Sequence, residues 1–288
     1  MAPFDQSFRH LPFFEALAGM EEGSAEWRAA TGGLVTLRLV DAWFAEGAQV
    51  ASADGWSAKV AREAVEDMDA GTPARALLLS TLDSMRRTPA PRGSAIAPQL
   101  AAYGRALNFD GKWRLAADVY ETLLEHSHPI DDADVYIHAS MQLGWCSRMT
   151  GSWERAQEAY DGAGEVASAV GDVVGILRAR IADARLARAR GNLPRAEELL
   201  DGAIHSARAE TLADVEALAL HERGMVGYDR GRFEETVRYG YEALGKYNGQ
   251  SDRDRVLGDI ATAFMELGVR TTARDAFLVL AATAQEQY

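Results

Sequence analysis

A glycine-led hexapeptide recurs along this chain at a nearly fixed step. Gly111-Lys-Trp-Arg-Leu-Ala116, Gly151-Ser-Trp-Glu-Arg-Ala156, Gly191-Asn-Leu-Pro-Arg-Ala196 and Gly231-Arg-Phe-Glu-Glu-Thr236 follow one another at intervals of 40 residues, and Gly268-Val-Arg-Thr-Thr-Ala273 comes after 37 more. A weaker sixth copy, Gly71-Thr-Pro-Ala-Arg-Ala76, stands one period earlier. A period of this size marks an array of supersecondary units, each too small to bury its apolar face without a neighbour.

The letters of the unit have a physical reading. Glycine takes the left-handed conformation that ends a helix, so each one closes the first helix of a pair. A large apolar residue (Trp113, Trp153, Leu193 or Phe233) then enters the second helix, and Pro194 and Pro73 sit in a first turn, where a missing N–H costs nothing. Five residues after the glycine a small residue marks a close helix crossing. Tyr120, Tyr160, Leu200 and Phe277 come four later, with Gly240 the exception, and Leu123, Ala163, Ala203, Ala243 and Leu280 complete an i, i+4, i+7 apolar face. Seven residues before each glycine the first helix is again small, at Gly104, Gly144, Ala184, Gly224 and Ala261.

Small residue, glycine, alanine, aromatic and alanine in this order resemble the tetratricopeptide repeat, in an extended form of 40 residues. The resemblance covers residues 97–288 well and 56–87 poorly. It implies an all-α, right-handed solenoid of antiparallel helix pairs and a protein- or peptide-binding role, of a kind common among bacterial scaffolds and regulators.

Three segments are expected. Residues 1–87 form a helical region with one weak repeat that caps the array. Within it Ser24 caps a helix, Gly32-Gly33 interrupts it, and Trp56–Met68 with Pro73–Met85 make a hairpin. Residues 88–97 read as a Pro/Gly linker, and 98–288 as five helix-pair repeats.

Composition narrows the partners. Hydrophobic residues make up 48% and charged residues 25%, which supports a packed core. The net charge of −13 argues against nucleic acid. No uncharged apolar run reaches membrane length. Asp5, Arg9, Glu15, Glu21 and Glu22 break the order of a signal peptide, and the single Cys146 fits a reducing compartment, so a cytoplasmic location is expected.

Several constellations invite chemistry and give way to simpler readings. His126, His128, Asp131, Asp132, Asp134 and His138 cluster, but without metal-site spacing they read as a helix end followed by an N-cap. His221-Glu222 lacks the second histidine of a zinc protease. Cys146 reads as a buried structural thiol. No catalytic residue, metal or cofactor is assigned, and an enzyme with an unrecognised site is the least supported alternative.

One pattern points to binding. The resemblance implies that the first helix of each pair lines a groove at steps 0, 3, 7 and 10. Those steps select Ala101, Arg105 and Asn108; His138, Met141, Trp145 and Arg148; Arg178, Ile181, Arg185 and Arg188; and Leu218, His221, Met225 and Tyr228. Arg105, Asn108, Trp145, Arg148, Arg178, Arg185, Arg188, His221 and Tyr228 are therefore the candidate ligand contacts, suited to an acidic or carboxylate-bearing segment. The competing reading is a solvated stripe whose arginines pair with Asp183 or Glu197. A non-catalytic scaffold is the leading function, with a ligand-sensing regulatory module as the alternative. Finally, Ala276–Ala282 makes a last helix apolar nearly all round. Phe277 and Leu280 are expected to pack on Ala273 and Phe264, leaving Leu278, Val279 and Ala282 either for a further repeat of a longer chain or for self-association, unless the terminal residues fold back over them.

Overall fold

The computed structural model describes residues 9–52 and 55–286, with side chains to Thr283. Asp5 and residues 287–288 lie outside these; residues 283–286, expected to fold back over the last helix, instead continue it. Among the described residues the chain is helical without a strand, and no helix is long and apolar enough to cross a membrane. It forms two compact units, Met1–Val170 and Gly171–Tyr288.

The first unit holds α1 (Leu11–Ala18), α2 (Ala25–Glu46), α3 (Trp56–Glu66), α4 (Pro73–Arg87), α5 (Gly93–Phe109), α6 (Trp113–Glu125), α7 (Ala133–Met149) and α8 (Trp153–Val170). The second holds α9 (Val173–Ala189), α10 (Leu193–Ala209), α11 (Ala213–Asp229), α12 (Phe233–Leu244), α13 (Gln250–Glu266) and α14 (Arg270–Glu286). Five pairs, from α5/α6 to α13/α14, turn at the repeating glycines. These have φ between 71° and 77°, and each turn closes in the same way. In the first, Lys112 N donates to Leu107 O at 2.8 Å and Gly111 N to Asn108 O at 3.0 Å, the double bond pattern of a glycine-ended helix. Gly71, in the weak copy, has no positive φ; its N–H donates to Asp69 Oδ1 instead.

The small positions are where helices touch. Ala116, Ala156, Ala196 and Ala273 are fully buried. A Cβ on Gly104 would lie 2.6 Å from the Tyr120 ring, and one on Gly144 2.3 Å from Tyr160. In the fourth pair the ring is gone, and Thr236 Oγ1 donates to Gly224 O at 3.0 Å.

The N-terminal region departs from the expectation in two places. α2 runs unbroken through Gly32-Gly33, because these glycines admit neighbours: a Cβ on Gly33 would meet the Tyr103 hydroxyl at 2.2 Å and Phe13 at 2.7 Å. Tertiary contact outweighs the local cost of glycine in a helix. Helix α5 begins at Gly93, inside the stretch read as a linker, and carries Pro98 within it. Gly93 lies where a Cβ would come 2.5 Å from His126 O, so the chain is packed on α6 there.

Candidate functional site

Helices α9, α11 and α13, the first members of successive pairs in the second unit, bring four of the expected binding residues onto facing surfaces. Arg185 Nη2 lies 2.7 Å from Glu222 Oε1, and Arg188 Nε 3.5 Å from Asp229 Oδ2. One pair further on, His221 Nε2 meets Asp259 Oδ2 at 2.6 Å and the Tyr228 hydroxyl meets Glu266 Oε1 at 3.5 Å. Each lining residue thus contacts an acid one repeat later, building a ladder across the three helices. Neither Asp183 nor Glu197 holds Arg185 or Arg188 in these contacts. Glu197 serves Arg223, Arg230 and Arg232. Burial works against the charge of Glu222, but the nearby Arg185 outweighs it and holds this carboxyl below its usual range.

Not all of the polarity is consumed. Arg188 Nη1 is buried with no hydrogen-bond partner, as is His221 Nδ1, while Arg178 is exposed at the start of the face.

The remaining candidates belong to the first unit. Arg105 is exposed, Trp145 and Arg148 are half-buried, and Asn108 is buried. Asn108 Oδ1 accepts from Cys146 Sγ at 3.1 Å, and burial pushes that thiol up to about 11, out of reach of nucleophilic use at neutral pH. Asn108 Nδ2 and Arg148 Nε are buried donors without partners. Trp145 packs against the apolar core beneath it.

A polar cluster that sequence reasoning missed lies between α1, α2 and α6. His10 takes a left-handed backbone (φ 62°) and is 3% exposed. Its Nδ1 lies 2.9 Å from Asp118 Oδ2 and its Nε2 3.0 Å from Asp41 Oδ2. Asp41 also receives His126 Nε2 at 2.8 Å and Arg9 Nε at 2.9 Å, and Arg9 continues to Glu125. His126 stacks on Phe44 with ring centroids 4.1 Å apart. A cavity of about 550 Å³ opens beside them, lined by Arg38 and Glu46 as well. Burial opposes charge on His10, but its hydrogen bonds to Asp118 and Asp41 prevail and raise its pKa to about 9. Burial likewise opposes charge on Asp41, and the bonds from His10 and His126 overcome it, lowering its pKa to about 2. The one signal in the sequence was His126, noted for its local neighbours; its partner stands 85 residues away.

The histidine–aspartate run after α6 disperses. His126 turns to Asp41, while His128 Nδ1 accepts from the amides of Ile130 and Asp131. Among the described residues no three histidine, cysteine or acidic side chains form a metal-sized group.

No protein-family model matches the sequence, and no curated protein matches it. Solved structures do resemble the fold. BtubC (BKLC) from P. vanneervenii superposes with a TM-score of 0.53 at 16% identity, over 80% of this chain and 91% of its own. A Rap protein complexed with competence and sporulation factor gives 0.58 at 15% identity, over 91% and 78%. The Cut9–Hcn1 hetero-tetramer of APC/C gives 0.53 at 16%, over 97% of this chain and 51% of the other. At these identities the likeness is one of fold.

Proposed function

We propose that this chain, a tetratricopeptide-type all-α solenoid by its repeat and its fold, is a non-catalytic interaction scaffold in the cytoplasm that binds an acidic or carboxylate-bearing segment of a protein or peptide. The observation that carries this reading is the row of cationic side chains along α9: Arg178 is exposed, and Arg185 and Arg188 keep 29% and 28% of their side-chain surface exposed beside α11. A guanidinium binds a carboxylate through paired N–H donors in a fixed planar fork, which makes an acidic side chain or chain end the ligand that suits such a row. Exposed Arg178 adds long-range attraction. Two of the similar structures are complexes, of a Rap protein with competence and sporulation factor and of Cut9 with Hcn1, which is in keeping with a binding role for this fold.

Fluorescence anisotropy with labelled Asp/Glu-rich peptides tests the reading, using lysine-substituted and C-terminally amidated peptides as controls. Binding is expected for the acidic peptides, weakening with salt and falling at least tenfold in Arg178→Gln/Arg188→Gln. Equal binding of acidic and basic peptides, or an unaffected double variant, overturns it.

A further inference from the structure

A second cavity in the first unit, of about 120 Å³, lies where α2, α3 and α4 meet the single 3-10 turn Ala48–Ala51. Its floor is apolar: Leu39, Ala51 and Leu82 are buried core residues, and Ala58 completes it from α3. Its rim is cationic, with Lys59 and Arg62 one turn apart on α3 and Arg86 on α4. Among the described residues no acidic side chain lines it. The three cations are not equivalent. Arg62 is committed to Asp83, which ties α3 to α4, and also lies 3.8 Å from Glu66. Lys59 and Arg86 are exposed and make no ion pair among the described residues, although Glu63 and Asp83 stand one turn from them on their own helices. Two free cations therefore meet over an apolar floor, in a chain whose total charge is −13.

This combination of walls selects a ligand. A bare oxyanion would set its charge against leucine and alanine, and a neutral hydrocarbon would make no use of the cations. An aliphatic carboxylate satisfies both. Its chain covers Leu39 and Leu82, while its charged end takes the paired N–H donors of Arg86 and the ammonium of Lys59. Size bounds the chain, since a cavity of roughly 150 Å³ takes one six-carbon benzene ring. We propose that this is a binding site for a free short-chain carboxylic acid of about four or five carbons, with Lys59 and Arg86 holding the carboxylate. The site is separate from the arginine row on α9 and does not rest on it.

Titration of the full chain with sodium pentanoate, followed by NMR, tests this. The amides of Ala58 and Lys59 should shift with a dissociation constant on the order of 1 mM, about what so few ligand atoms allow. Acetate is three methylenes shorter, and each buried methylene is worth about a factor of four, so it should bind at least tenfold more weakly. Pentanamide, the same skeleton without the charge, should also lose at least tenfold. Lys59→Gln/Arg86→Gln changes two exposed side chains and should weaken pentanoate at least tenfold while circular dichroism stays unchanged. Ala58→Leu fills the cavity with every charge intact and should weaken it equally. Arg178→Gln/Arg188→Gln should bind pentanoate as the parent does, so the two readings fail separately. Acetate or pentanamide binding as tightly as pentanoate overturns the proposal, as does an unaffected Lys59→Gln/Arg86→Gln protein or the absence of any saturable shift.

Discussion

His10 Nδ1 lies 2.9 Å from Asp118 Oδ2 while Nε2 of the same ring lies 3.0 Å from Asp41, so one imidazole ties α2 to α6 from the residue preceding α1. The ring is held between two carboxylates in a buried place, which keeps it charged at neutral pH. Its backbone, left-handed without being glycine, is strained, and the contacts must outweigh that strain.

This relationship sets a pH dependence. His10 titrates near 9 when folded against 6.5 when unfolded, so the folded state binds the extra proton. The resulting stability, at most about 3 kcal/mol, is fully present below pH 6.5 and is lost as pH rises through 9. Asp41, lowered from 3.8 to about 2, expresses the same contacts from the acid's side; its contribution is present above pH 4 and is lost as pH falls through 2. Urea midpoints should therefore decline between pH 6.5 and 9, and His10→Leu should flatten that decline. A parent whose midpoint holds steady over this interval removes the assignment.

The first three repeats fill one helix crossing in two ways, which makes a swap testable. Gly104 faces Tyr120 and Gly144 faces Tyr160, whereas the third repeat has Ala184 with Leu200 at the same steps. Gly144→Ala drives a methyl to within 2.3 Å of the Tyr160 ring and should cost about 1–3 kcal/mol. Adding Tyr160→Leu copies the third repeat and should restore part of that loss, a positive coupling in a double-mutant cycle read by urea denaturation. Additive losses would show that the two repeats do not share one packing solution.

The fold was legible because its signals are local: a glycine that must turn left-handed, a small residue five positions on, and a 3.6-residue apolar face all lie within one period. The His10 cluster was not, since its partners stand 31 and 108 residues apart in sequence. Gly32-Gly33 misled for a related reason, because the residues they make room for, Met68 at Gly32 and Phe13 and Tyr103 at Gly33, lie far away in sequence. The sequence places Arg185 and Arg188 on one helical face, but the acids they meet, Glu222 and Asp229, lie one repeat later. Periodicity shows which face a residue occupies, and only packing shows what it meets there.

The turns between pairs carry a second left-handed position. Gly171 has φ 74° between α8 and α9, and Thr211 has φ 56° at the same step between α10 and α11. A β-branched residue is poorly suited to that region. Thr211→Gly should raise the unfolding free energy by about 1 kcal/mol, and with it the midpoint, and Gly171→Thr should lower both by a similar amount. Thermal melts of both variants decide this, and a destabilised Thr211→Gly would show that the threonine makes a contact worth more than its strain.

The ladder itself makes the last prediction. Arg185 and Glu222 sit 2.7 Å apart with the carboxylate mostly buried, and the arginine holds the acid in its charged form. Removing one partner of such a pair strands a buried charge, whereas removing both replaces it with apolar contact. Arg185→Met alone should cost about 3 kcal/mol and make stability fall as pH rises, because burial then opposes the charge of Glu222 against only the weaker influence of His221 and Arg188. Arg185→Met/Glu222→Leu should recover most of the loss and remove the new pH dependence. Urea denaturation of the four proteins at pH 5 and pH 8 separates the cases: a double variant as unstable as the sum of the singles would mean that each side chain is held by other groups and the rung contributes nothing.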